Sequence, residues 1–405
     1  MSEPAATTDA AEAATAPPGR LLVATMAFAC GAGVASLYYA QPLAGLIGPA
    51  VGLHPAAVGL VVTLTQIGYA LGLLLLVPLG DLLENRRLIA VTLSTAALAL
   101  AAAAWAGSAA VFLAAALLIG VSSVGVQMLV PLAAHLTPPE MRGRIVGSVM
   151  SGLLLGILLA RPVASLIAAA FGWRAVFAAS AVLMVGVTLL LWNVLPTRRP
   201  ALGDSYRQLI GSLWPLLRDT PVLRRRTWYQ SCLFASFALF WTASPLLLAG
   251  APFHLSQVGI ALFALAGAGG ALAAPIAGRL ADAGWTRPVT GAALALAAAA
   301  FALSRLGGGG HGSVAVLTAS AVLLDFAVQT SQVTGQRAIY ALPGHARSRL
   351  NGIYVGVFFG GGAIGSAVAG PALAYDGWSA VSWLGIAFPL AALAVYATEF
   401  LPARR

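Results

Sequence analysis

The chain has 405 residues, 60% hydrophobic and 8% charged, with a formal net charge of +10 and a mean hydropathy of +0.91. Soluble chains carry about a quarter charged residues, so soluble domains are excluded and a polytopic membrane protein is indicated, because lipid requires apolar surface and makes charge costly. The positive balance does not point to nucleic acid: all 22 basic residues are arginine, and no polar basic domain with interleaved aromatics gathers them.

Residues 1–19 are rich in Ala, Thr and Pro and read as a disordered tail. They lack the basic start of a signal peptide, so the apolar run after them is expected to remain as a membrane helix. Apolar runs between turn and charge signals then predict six helices in a first half, 20–45, 56–79, 88–106, 110–134, 144–170 and 174–195. Six more follow in a second half, 227–250, 256–278, 289–305, 313–336, 347–372 and 379–400. Each is long enough to cross about 30 Å of hydrocarbon, some with tilt. The predicted fold is all-α, twelve transmembrane helices in two pseudo-symmetric six-helix bundles, 20–196 and 227–405, joined by a connector at 197–226.

Arginines fall on alternate loops. Arg86 and Arg87 follow helix 2, Arg142 and Arg144 precede helix 5, and the connector carries Arg198, Arg199, Arg207, Arg218 and Arg224 to Arg226. Arg279, Arg287, Arg347, Arg349, Arg404 and Arg405 continue the series, while the opposite loops are nearly free of base. The positive-inside rule places both termini and the connector in the cytoplasm. An amphipathic stretch of the connector is expected to lie on the membrane face, its arginines meeting anionic lipid. Cys30 and Cys232 lie in apolar runs and read as core residues rather than a disulfide.

An internal repeat relates the halves. PPEMRGRIVG at 138–147 aligns with PGHARSRLNG at 343–352 at an offset of 205, which also carries Gly172-Trp173 onto Gly377-Trp378. Asp81 meets Asp282 at an offset of 201, and Tyr38 with Pro42 meets Trp241 with Pro245 at 203.

Two charges fall near the bilayer midplane, Arg161 in helix 5 and Asp325 in helix 10. Each costs about 2.5–3.5 kcal/mol there on insertion scales, so both are expected to face a cavity or one another. A guanidinium keeps its proton, whereas a carboxyl can bind and release one, which makes Asp325 the candidate proton carrier. The alternative is a static Arg161–Asp325 pair that holds the halves together. Asp325, Gln329, Gln332 and Gln336 form one polar face of helix 10, which requires protein or water beside it. Gln127 is the repeat mate of Gln332, and Gln41 and Gln66 add further amides. With Tyr38, Tyr39, Trp241 and Phe358 they make a candidate cavity of apolar walls and a few placed polar groups. No metal or cofactor is expected. A nucleophile, base or metal constellation for an intramembrane enzyme is absent at depth, and the chain leaves no room for a receptor's soluble output domain.

The segment Gly278-Arg279-Leu280-Ala281-Asp282 and its weaker copy around Leu79, Asp81, Arg86 and Arg87 resemble the loop signature of the major facilitator superfamily. The strings YYAQPL (38–43), GWRAVF (172–177) and SQVTGQRAIYAL (331–342) are similar to a branch of its proton-linked efflux group that includes purine ribonucleoside exporters. In helix 5, Arg161 stands where the antiporter motif has proline. The resemblance implies alternating access, proton antiport of drug-like or nucleoside-like molecules, a monomer in a bacterial inner membrane, and a cytoplasmic latch at Asp81, Arg86, Arg87 and Asp282. Proton symport of a small metabolite uses the same architecture and remains the alternative.

Overall fold

The computed structural model describes residues 18–198, 205–308, 312–342 and 347–400. The tail up to residue 17, Arg199, Pro343, Arg404 and Arg405 lie outside the described residues. All regular structure described is helical. The first half runs α1 (Arg20–Ala35 continued by Ala40–Ala50), α2 (Pro55–Asp81), α3 (Asn85–Ala104), α4 (Ala109–His135), α5 (Pro139–Phe171) and α6 (Trp173–Val194). The second runs α7 (Pro221–Ala249), α8 (Gln257–Asp282), α9 (Thr286–Gly308) and α10 (Val314–Tyr340), then one helical stretch, Arg347–Ala397. Fifty-one helical residues would extend about 76 Å, more than twice the hydrocarbon thickness. The stretch breaks at Asp376 and Gly377, where the dihedrals are not helical, giving α11 (347–375) and α12 (378–397). Twelve crossings result, in the order expected.

The repeat is visible in the backbone. Gly172, between α5 and α6, and its mate Gly377, between α11 and α12, both take positive φ, +81° and +55°, which only glycine enters freely. The tryptophan after each is buried. Trp173 packs edge-on against Phe112 and Phe177, and the Trp378 indole donates to the Ser304 carbonyl at 3.0 Å. Helix pairing repeats as well: α2 with α4, α3 with α6 and α1 with α5 in the first half match α8 with α10, α9 with α12 and α7 with α11 in the second. Glycines allow the closest approaches. A Cβ on Gly156 would lie 2.2 Å from the Gly31 carbonyl oxygen, and one on Gly361 would lie 2.4 Å from that of Ser231. Small residues are favoured at such membrane interfaces because lipid supplies no hydrophobic push between helices.

Several boundaries differ from the hydropathy reading. Helix α1 bends by 42° between its two parts. Pro42 has no N–H to offer the Tyr38 carbonyl, which accepts from Gln41 at 3.3 Å instead, so the turn tightens toward 3-10 geometry. Helix α7 starts at Pro221, six residues before the expected 227, with proline in its favoured first-turn position. Helix α5 likewise starts at Pro139 rather than 144. Hydropathy misses these polar first turns because they project past the apolar span. The connector holds two short helices, Tyr206–Gly211 behind a Ser205–Gln208 capping box and Leu213–Asp219. The Tyr206 hydroxyl ties it to α2 by donating to the Leu75 carbonyl at 3.0 Å.

The two halves press together at the end away from the arginine-rich loops. There a Cβ on Gly59 of α2 would fall 2.2 Å from the Ser366 carbonyl oxygen of α11, and one on Gly370 would fall 2.5 Å from that of Ala56. Thr63 and Ser366 share a hydroxyl hydrogen bond of 2.9 Å across the same seam. Toward the arginine-rich end a Cβ on Gly147 of α5 or Gly278 of α8 would meet nothing within 4 Å, while Gly356 of α11 still approaches Leu74 of α2. Gly59→Leu should therefore wedge the seam open, increasing the α2–α11 distance there between spin labels, while Gly147→Leu leaves it unchanged. An unaltered distance in the Gly59 variant would show that the seam is not closed by this contact.

Candidate functional site

Helices α1, α5, α7, α8 and α10 converge where the halves meet, and they bring both midplane charges together. Arg161 is 3% exposed and Asp325 5%. The Arg161 Nε donates to Gln41 Oε1 at 2.7 Å. Its guanidinium carbon lies 5.0 Å from the ring centre of Tyr38, 5.0 Å from Phe237 and 4.5 Å from Trp241. The tightened turn at Tyr38 and Pro42 is what presents Tyr38 and Gln41 on the same side of α1. Cation–π contacts gain strength when desolvated, up to about 2 kcal/mol or more each. They keep a buried guanidinium in place without neutralising it.

Trp241 joins the two charges. Its ring face carries Arg161, and its indole Nε1 donates to Asp325 Oδ1 at 2.8 Å. Arg161 and Asp325 form no direct ion pair; neither takes part in any ion pair among the described residues. Gly267 stands between them, in the 3-10 segment Leu265–Ala268 of α8. A Cβ there would lie 3.0 Å from Asp325 Oδ2 and 3.6 Å from Arg161 Nη1. Of the two readings open from sequence, a touching pair and separate charges, the geometry is a third: two charges linked through an indole across a glycine-sized space. Buried donors remain without partners beside it, Arg161 Nη2 and Gln41 Nε2. Leaving such groups unsatisfied costs about 1–3 kcal/mol each, more for charged ones.

The other expected cavity residues divide. Gln66 is buried on α2 against α11, its Oε1 2.7 Å from the Cβ position of Gly362 and without a partner. Gln127 donates to the Tyr69 hydroxyl at 2.6 Å, inside the first half. Gln332 and Gln329 are half-buried on α10, and the Gln332 carbonyl accepts from Tyr354 at 3.4 Å. The Gln127 amide thus bonds within the first half, whereas the bonded group of its repeat mate Gln332 is the backbone carbonyl. Phe358 is buried in a ring cluster with Phe234 and Tyr354. That cluster continues through the stacked Phe234–Phe237 pair, 5.2 Å apart, to the Arg161 site. Tyr39 is buried beside Ser180 of α6. Sequence reading singled out neither Tyr69, hidden by its apolar neighbours, nor the role of Gly267, which resembles any packing glycine.

At the arginine-rich end, Asp81 is exposed and belongs to no ion pair among the described residues. Glu84 holds the arginines instead, Arg87 at 2.9 Å and Arg86 at 3.7 Å. Asp282 pairs with Arg337 of α10, within its own half, and Arg337 also donates to the Gly278 carbonyl at 3.1 Å.

Comparison with known proteins places this architecture. Residues 21–304 match the Major Facilitator Superfamily. An uncharacterized transporter of Escherichia coli O157:H7, YgaY, is 42% identical over 375 residues, covering 93% of this chain and 94% of that protein. The probable transporter SCO4007 of Streptomyces coelicolor is 36% identical over 387 residues, 95% of this chain and 88% of that protein. Among solved structures, a mutant form of the nucleoside transporter NupG superposes with a TM-score of 0.77 at 16% identity, covering 94% of this chain and 99% of that one. A bacterial homolog of the human lysosomal transporter Spinster, inward-facing and occupied, reaches 0.73 at 15% identity over 95% and 97% of the two chains. With a family match over most of its length and transporter relatives along nearly all of it, the chain belongs to the major facilitator superfamily and is a transporter, not an enzyme.

Proposed function

We propose that this transporter exports small organic molecules, of drug or nucleoside size, by proton antiport and alternating access, with Asp325 as the proton site. The observation that carries the reading is a buried carboxylate held by Trp241, close to a permanent cation, at the junction of the two halves. Protonation removes the charge of Asp325 but not that of Arg161, so it changes the net charge of the site and the balance between open and closed arrangements. The driving force is adequate: 100 mV supplies about 2.3 kcal/mol per charge, and one pH unit adds about 1.4 kcal/mol. The protein works as a monomer in the bacterial inner membrane, its arginine-rich loops and termini in the cytoplasm. Its Glu84 and Arg337 partners release Arg86, Arg87 and Asp282 to join Asp81 in a cytoplasmic latch when that end closes.

Two measurements test the reading. In substrate-free proteoliposomes a pH step should produce a transient charge movement that Asp325→Asn abolishes while insertion in the membrane is retained. Charge movement with unchanged pH dependence in that variant would overturn the proton role. Everted vesicles decide direction: accumulation of a transported solute under inside-acid conditions supports antiport, and accumulation driven by the opposite gradient supports symport.

A double-mutant cycle tests the linkage of the charges. Arg161→Ala leaves Asp325 without its neighbouring cation, and a buried group left uncompensated costs about 1–3 kcal/mol or more when charged. Arg161→Ala/Asp325→Asn should recover about 1–3 kcal/mol of that loss, read from thermal midpoints of the purified variants. Additive effects would show that Trp241 does not couple them.

A further inference from the structure

Resting on the reading of Arg161 and Asp325 as the transport site, we infer that the ligand is a small zwitterion with an ammonium and a carboxylate at one end and an aromatic body at the other. An aromatic α-amino acid is the simplest member. Three observations converge on this class. The site offers two opposite charges on either side of Gly267 that form no ion pair with one another. Around the positive side stand the unpartnered donors Arg161 Nη2 and Gln41 Nε2. Each can donate to one oxygen of a carboxylate, with a charge-assisted hydrogen bond from Arg161 and a neutral one from Gln41. On the negative side, Trp241 occupies only Asp325 Oδ1, leaving Oδ2 beside the Gly267 space to accept from an ammonium.

Charge balance favours a zwitterion over either ion alone. An organic anion would compete with Asp325 for the one guanidinium, and a cation would compete with Arg161 for the one carboxylate. A zwitterion satisfies both and brings no net charge into a low-dielectric site, where unbalanced charge is most costly. The walls supply the remaining contact: Tyr38, Phe237 and Trp241 border Arg161, and Phe234 extends the apolar surface to Phe358.

The same arrangement couples the ligand to the proton. Apart from Arg161, the ionisable group facing Asp325 is Tyr38. Helix α7 contributes the neutral Trp241 and α8 the two glycines Gly267 and Gly270. The charged residues of α9, Arg287 and Arg305, lie near its two ends, and α11 reaches the ring cluster through Phe358. A proton on Asp325 therefore removes the one anion that faces this site among the described residues, so proton and zwitterion exclude one another, as exchange requires.

The test is a binding series on the purified full-length protein: phenylalanine, phenylalanine methyl ester, which lacks the carboxylate, N-acetylphenylalanine, which lacks the ammonium, and adenosine. Phenylalanine should bind best, with each blocked analogue weaker by about tenfold or more. Acidification should weaken phenylalanine binding in the wild type. Gly267→Ala, whose methyl group would crowd Asp325 Oδ2 at 3.0 Å, should weaken phenylalanine binding by a similar factor. Blocked analogues that bind as well as the parent, adenosine binding in its place, or no binding in the series would overturn the assignment. If the charge preference fails while the pH-step response of Asp325 persists, the ligand class alone is wrong. If the preference holds and that response is absent, the proton reading fails and the ligand class stands.

Discussion

A charge inside a bilayer cannot be left to water, and that constraint organises the centre of this molecule. Arg161 cannot give up its proton, so the protein must surround it. It does so with rings from both halves and one amide, rather than with a contacting carboxylate. A direct ion pair would satisfy both charges and close the site. An indole placed between them leaves each with an unused valence. Trp241 has the shape for this: one face accepts the cation, and its single N–H, in the ring plane, reaches the carboxylate.

Around that centre the glycines determine what can move. Where helices of one half pair, α1 with α5 and α7 with α11, glycine lets the backbones come nearly into contact, and such packing is hard to deform without loss. The seam between halves at Gly59, Ser366 and Gly370 is equally close and runs on along α2 and α11 to Leu74 and Gly356, with a hydroxyl pair, Thr63 with Ser366. Rigid halves favour motion of one bundle against the other over bending within a bundle. At the opposite end the ion pairs of Glu84 and Asp282 stay within their own halves, so in this arrangement they do not resist such motion.

Much of this was legible in the sequence because membranes impose simple rules. The number of crossings follows from hydropathy, and the breaks at Gly172 and Gly377 follow from a repeat that places glycine before tryptophan in both halves. Arg161 and Asp325 stood out because charge at depth is rare. Their separation could not be read, since it depends on which way a helix faces and on the 3-10 segment that places Gly267 between them. Gln127 looked like a partner of Gln332 by repeat symmetry, yet it bonds to Tyr69, a residue with no counterpart in that pattern. Repeats transmit backbone position faithfully, whereas the Gln127 side chain takes a partner from its own half.

The division of residues between the halves gives the centre its mechanical sense. Arg161, Tyr38 and Gln41 belong to the first half, while Trp241, Asp325 and Gly267 belong to the second. At this centre the contacts that cross the division are of the tolerant kind, a cation over a ring face, which keeps its attraction through modest sliding. The contact within the second half, Trp241 to Asp325, is directional, so it fails by rotation rather than by translation. If the halves rock, the guanidinium can move over the indole while the carboxylate stays tied to the same ring. The separation of Arg161 from Gly267 would then change, because the two residues belong to different halves. A site built this way can hold a ligand tightly in one arrangement and loosely in another without either charge leaving its own helix.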